Sequence, residues 1–177
     1  QTVVSLGIKN LKGLIDIPSR KRCHNMTPGK DLHFWVSKLA DRMPPIFTLI
    51  DGIFSNEKGP GPDGKLRRTD LLVASADILS ADLVGAGILG YQPEQGPHLM
   101  HAAKHGRRPW DLSDIQVVGE RIEDVKQPHE YDVAYSETDE VILPTALARQ
   151  GIEGVFNLKP ISAEASPISV PSFHDAR

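Results

Sequence analysis

The sequence predicts an α/β fold, a mostly parallel sheet with flanking helices that forms the C-terminal portion of a larger α/β domain. Three observations carry this expectation. Two short segments, residues 46–50 and 71–76, are apolar on both faces, as strands buried inside a parallel sheet are. Helical periodicity precedes the first and follows the second, which is the pattern of βαβ units. The chain also opens directly on a strand-like run, Thr2-Val3-Val4-Ser5-Leu6-Gly7-Ile8, as expected where processing has removed something or, the favoured reading, where the chain is a piece of a longer protein.

Residues 2–8 are read as the first strand, followed by a polar, basic segment that Pro18 interrupts. Thr27-Pro28 is a helix-start signal, a hydroxyl N-cap before a proline at the first helical position. Leu32, Trp35, Val36, Leu39, Ala40 and Met43 then form one apolar stripe at helical spacing, and Pro44-Pro45 ends it. Residues 46–50 give a second strand, running into Asp51-Gly52. Residues 55–69 are expected to be a loop, since Gly59-Pro60-Gly61-Pro62-Asp63-Gly64 suits neither helix nor central strand. Residues 71–76 give a third strand, ending at Asp77, and residues 78–89 a helix. Gly85, Ala86 and Gly87 in it are expected to serve close packing. A short helix over 98–105, a strand over 115–119, a helix over 136–150 and a strand over 154–158 follow. Residues 1–158 thus form one domain, and the Ser/Pro-rich residues 159–177 an extended or disordered tail.

Composition narrows the function classes. The 177 residues are 40% hydrophobic and carry a net charge of -3, with a pI near 6.2. No global field therefore draws the chain to nucleic acid or anionic lipid. The one dense basic run is Arg20-Lys21-Arg22. A single cysteine, Cys23, excludes an internal disulfide and any iron–sulfur cluster held by this chain alone. No apolar run approaches the ~20 residues of a membrane span, and no signal-peptide pattern is read, so the expected compartment is the cytoplasm.

The candidate chemistry gathers at the predicted strand ends, where open parallel sheets bind their ligands. Asp51 and Asp77 end successive strands, and on one rim they would suit a divalent metal or divide acid and base roles. Alternatively, each caps a turn or the following helix. Asp82 is a third metal candidate, although five residues past Asp77 it is placed to face solvent. Lys9, Asn10, Lys12 and Arg20 form the main cationic cluster, suited to a carboxylate or phosphate. His24, close to it in sequence, is a candidate acid, base or ligand. Backbone amides at Gly59, Gly61 and Gly64 are suited to cradling an anion, but the loop lacks the Lys-Ser/Thr pair of a P-loop. His98, His101 and His105 fall at i, i+3 and i+7 without the companion glutamate of zinc peptidases, a poor metal motif.

Several of these pieces occur together in order: Lys9-Asn10-Leu11-Lys12-Gly13, His24, Ile50-Asp51-Gly52-Ile53, Gly59-Pro60-Gly61-Pro62-Asp63-Gly64, Ala74-Ser75-Ala76-Asp77 with Asp82, and Leu89-Gly90-Tyr91. Over about residues 3–120 the chain resembles domain-of-unknown-function family 362. The resemblance implies the later part of a prokaryotic α/β domain, often found beside ferredoxin-like iron–sulfur segments. This sequence departs there, since its single cysteine cannot hold a cluster, and any redox role would need a missing segment or an iron–sulfur or other redox partner. It implies no particular activity. Two readings stay open. One is an enzyme domain that binds a small anionic molecule, its cofactor unknown, with a divalent metal as a candidate. The other is a non-catalytic binding or assembly module working with a partner or as an oligomer.

Overall fold

An aspartate on the central helix decides how the amino-terminal segment folds. The computed structural model describes residues 2–24, 31–58, 64–105, 109, 111–130, 133–135 and 142–144, the last two segments through their backbone pairing. Residues 2–6 take an irregular path in place of the expected strand, and a short helix α1, Gly7–Asn10, follows at once. The amides of Gly7 and Ile8 donate to Asp82 Oδ1 and Oδ2 at 2.8 and 2.9 Å. With those amides taken by a carboxylate, the segment turns into a helix and does not continue into a sheet.

A three-ten turn over Leu11–Leu14 leads to α2, Ile17–Arg22, which Asp16 caps by accepting from Ser19 N at 2.7 Å. Helix α3, Leu32–Arg42, carries the expected stripe: Leu32, Trp35, Val36, Leu39 and Ala40 are buried. Its cap is Asp31, which accepts from Phe34 N at 3.0 Å. The proposed start at Thr27-Pro28 lies outside the described residues.

Among the described residues the sheet is not mostly parallel. Strands β1, Thr48–Glu57, and β2, Lys65–Ser75, form an antiparallel hairpin, with Thr48 opposite Ser75 and Glu57 opposite Lys65. Both strands run well into the segment read as loop. The connection between them is also far too short for the crossover of a dozen or more residues that parallel strands require. A short apolar run looks alike in either geometry. Here one face of the hairpin packs on the core, while Leu49 and Leu72 on the other remain 61% and 63% exposed. The register slips between Gly52 and Phe54. Before this bulge Thr48, Ile50 and Gly52 face inward; after it Ser55 and Glu57 do.

Helix α4, Ile78–Ile88, is apolar around its whole circumference and nearly all of it is buried, as a core helix must be. It packs against α1, the hairpin and helix α5, Pro97–Lys104, which in turn packs on α3. The small residues serve close approach, as expected. A Cβ at Gly85 would meet Leu6 Cδ1 at 2.9 Å, and one at Gly87 would meet Leu112 Cδ1 at 3.0 Å. Gly90, at φ +87°, ends the helix, and Tyr91 N reaches back to Ala86 O at 2.9 Å.

Beyond α5, Leu112 and Ile115 pack against the core, but residues 115–119 form no strand. A helical turn α6, Ile122–Val125, precedes a strap, residues 127–130, laid back over the end of α4: Gln127 N donates to Ile88 O at 2.8 Å and His129 N to Leu89 O at 2.9 Å. Strands β3, Val133–Tyr135, and β4, Ile142–Pro144, pair antiparallel. The helix expected over 136–150 is therefore contradicted at 142–144; its remainder, the strand over 154–158 and the tail over 159–177 lie outside the described residues.

The contact at Gly7 yields a graded test. A Cβ there would lie 2.9 Å from Asp82 Oδ1 and 3.0 Å from Thr48 Cγ2, and the carboxylate is held by two amides. Gly7→Ala should cost about 1–3 kcal/mol in denaturant unfolding, the usual cost of overpacking. Gly85→Ala should cost less, because it meets the movable end of the Leu6 side chain. Equal losses would show that the carboxylate is not fixed in place.

Candidate functional site

The amino-terminal cationic residues do converge. Lys9 Nζ donates to Ser5 Oγ at 2.6 Å, and Lys12 Nζ hydrogen-bonds His24 Nε2. An ammonium has only protons to offer, so Nε2 is the acceptor and the His24 proton sits on Nδ1. Burial, and then the neighbouring Lys12, lower the Lys9 pKa. Burial lowers that of Lys12 as well, with Arg20 adding to the effect. His24 is pushed down by burial and by Lys12 and Lys9, and is neutral at physiological pH. Among the described residues no carboxylate forms an ion pair with Lys9 or Lys12.

Arg20 has a different task. Its Nη2 donates to the carbonyls of Gly13 at 3.0 Å and Ile15 at 3.1 Å, and its Nε to Ile15 at 3.3 Å. It shapes the loop that carries Lys12 rather than standing ready for a ligand. Asn10 is exposed beside the cluster. Cys23 is buried, and burial raises its thiol pKa, the opposite of what a reactive thiolate needs.

The three aspartates do not share a rim. Asp51 lies within β1 opposite Leu72, exposed, its Oδ1 accepting from Ile53 N at 2.9 Å. Asp77 caps α4, accepting from Ser80 N at 2.7 Å and Ser80 Oγ at 2.9 Å. Asp82, expected at the surface, is fully buried. An antiparallel hairpin cannot deliver consecutive strand ends to one side, so the assumed geometry fails with the parallel sheet. Among the described residues, no group of three or more His, Cys, Asp or Glu side chains is placed to hold a metal ion. Gly64 sits half-buried before β2, and Gly59 and Gly61 lie outside the described residues.

The α5 histidines occupy three environments. His98 is fully buried, with no hydrogen-bond partner for either ring nitrogen among the described residues, and its ring lies 5.8 Å from that of His33. Half-buried His101 and exposed His105 each set an edge against Phe34, 6.1 Å away. Burial lowers the pKa of His98 to about 3, with His33 adding to it, and that of His33 to about 4.

A cleft of about 310 Å³ lies between residues 2–6, the inner face of the hairpin, the end of α4 and the strap. Ser5 belongs to its wall, which brings Lys9 to its margin. Buried Glu57 ties the strap to the hairpin: its Oε2 accepts from Glu130 N at 3.1 Å and from Arg67 Nη1 at 3.0 Å, while Lys65 stands 3.7 Å from Oε1. The Glu130 amide, followed by Arg67 and Lys65, holds the Glu57 carboxyl below the usual carboxylate range. Sequence reasoning missed Glu57, which sits in the segment read as loop. The signal for Asp82 was available: it stands between Ala81 and Leu83 on a helix with no polar face.

Residues 1–87 match the model of the family described as Domain of unknown function (DUF362). Over this stretch the chain is consistent with a DUF362 domain. The match includes the cationic cluster, the hairpin and all but the last residue of α4, whereas Leu89-Gly90-Tyr91 lies beyond it. The DUF362 description assigns no activity. No curated protein and no solved structure matches the chain.

The buried groups predict opposing pH effects. Burial raises the Asp82 pKa to about 7 against its two amide donors. The folded state therefore holds an extra proton between about 4 and 7, and this contribution to stability falls as pH rises through that window. His33 and His98 are depressed below 6.5, so their contribution is present above that pH and is lost on acidification toward 4 and 3. Between about 6.5 and 4 the two trends oppose each other. Asp82→Asn, which faces an amide nitrogen toward an amide donor, should cost about 1–3 kcal/mol at pH 7. It should also steepen the loss of stability on acidification, measured by urea midpoints from pH 7 to 4. An unchanged slope would remove Asp82 from the account.

Proposed function

We propose that this DUF362 segment binds a small anionic molecule, with Lys9 and Lys12 meeting its negative group. The carrying observation is that two ammonium groups and a neutral histidine converge with no carboxylate paired to either lysine among the described residues. Both lysine pKa values are lowered chiefly by burial, with Lys12 adding to the effect at Lys9 and Arg20 at Lys12, and an arriving anion would offset that cost of holding the charge. Neutral His24, bonded to Lys12 through Nε2, is suited to accept a proton from the bound molecule once that bond is released. Arg20 acts by holding the loop. The carboxylates Asp51, Asp77 and Asp82 do not converge, so the reading includes no metal.

Isothermal titration with phosphate, pyrophosphate and citrate at low ionic strength tests the proposal. At least one should bind, and Lys12→Ala should weaken it about tenfold or more, the value of one charge-assisted hydrogen bond. Affinity should also fall as pH rises through the lysines' lowered pKa values. No binding, or equal binding by the variant, would end this reading.

A second reading, an assembly module, is favoured by the outer face of the hairpin. Leu49, Ile53, Leu66 and Leu72 are exposed there, and the sheet has no third strand among the described residues. Light scattering at tens of micromolar (on the order of conditions where weak dimers populate) should then give a dimer that Leu72→Lys converts to monomer. A monomeric wild-type chain would count against it.

A further inference from the structure

The β1 bulge brings a serine and a histidine together in the cleft. Because the register slips between Gly52 and Phe54, Ser55 turns inward in place of Phe54, and it lines the cleft. There Ser55 Oγ lies 2.6 Å from His129 Nε2. The other ring nitrogen, Nδ1, lies 2.6 Å from Gln127 O. A carbonyl can only accept, so Nδ1 carries the proton and Nε2 has a free lone pair, toward which the Ser55 hydroxyl donates. The imidazole is thus held by an oriented partner on one side and faces a hydroxyl on the other. That is the arrangement in which a serine is activated as a nucleophile.

Independent contacts keep both residues in place. Thr69 Oγ1 donates to the Gly52 carbonyl at the bulge. The strap that carries His129 is fixed by His129 N to Leu89 O at 2.9 Å and by Lys58 N to Glu130 O at 3.0 Å. Around the pair, Ile50, Leu71, Val73, Ile88 and Leu89 give the cleft apolar walls. A space of about 310 Å³ falls at the small end of ligand sites.

We propose that Ser55 and His129 form a nucleophile–base dyad that hydrolyses small esters with a short apolar acyl group. Ser55 Oγ attacks the ester carbonyl carbon while its proton passes to His129 Nε2. The bond to the leaving alcohol then breaks, and that alcohol's oxygen takes the proton from Nε2. Water repeats the sequence on the acyl-serine, releasing the acid and restoring Ser55. Neither Lys9 nor Lys12 is needed, so this site goes beyond the anion-binding reading and fails or stands apart from it.

The test uses the whole chain, a fluorophosphonate probe and p-nitrophenyl butyrate. Peptide mass spectrometry should place the phosphonyl adduct on Ser55, with release of p-nitrophenolate that Ser55→Ala abolishes. His129→Gln retains an acceptor for the hydroxyl but cannot take its proton, and should slow labelling by about a hundredfold or more. Circular dichroism confirms that each variant is folded. An adduct on another serine, no adduct at all, or labelling at the wild-type rate in folded His129→Gln overturns the proposal.

Discussion

The Asp82 carboxylate, joined to the amides of Gly7 and Ile8 from 75 and 74 residues away, is the contact on which the rest of the arrangement hangs. A buried carboxylate is costly unless donors surround it, and free amides at the start of a helix are costly unless an acceptor meets them. Each requirement answers the other. The result locks α1 against α4 and sets the position of everything on that segment: Ser5 in the cleft wall, Lys9 at its margin, Lys12 against His24. Gly7 lacks a side chain at the one place where the carboxylate comes closest.

The hairpin is a second constraint, built on parity. Side chains on a strand alternate between faces, so one extra residue exchanges the two faces for everything beyond it. Up to Gly52 the inner face of β1 presents Thr48, Ile50 and Gly52; after the slip it presents Ser55 and Glu57. Glu57 then gathers the Glu130 amide, Arg67 and Lys65 around one buried carboxylate. That cluster holds the strap, and the strap supplies His129. Charge and register together thus make a wall that apolar packing alone would not define.

Helices α3 and α4 were legible in the sequence because their signals are local. The stripe from Leu32 to Ala40 has one period, and the apolar run from Ile78 to Ile88 has no polar face to expose. Gly85 and Gly87 were correctly linked to close packing. Strand direction was not legible, because residues 46–50 and 71–76 are equally apolar in a parallel or an antiparallel partner. The cationic cluster was legible as composition within a short segment. Its division of labour was not, since whether Arg20 meets a ligand or its own loop carbonyls depends on the path from Gly13 to Ile15. Long-range pairs such as Asp82 with Gly7, or Ser55 with His129, leave no periodic trace in a single sequence.

The family match ends at residue 87, one position before α4 does. In three dimensions that point is no seam. Ile88 and Leu89 accept the amides that moor Gln127 and His129, and Glu57 inside the matched stretch accepts the amide of Glu130 outside it. Severing the chain there would leave the back of the cleft open to water and strip Glu57 of its backbone donor. The matched segment is therefore not a unit of folding by itself, because the stretch beyond it completes the cavity.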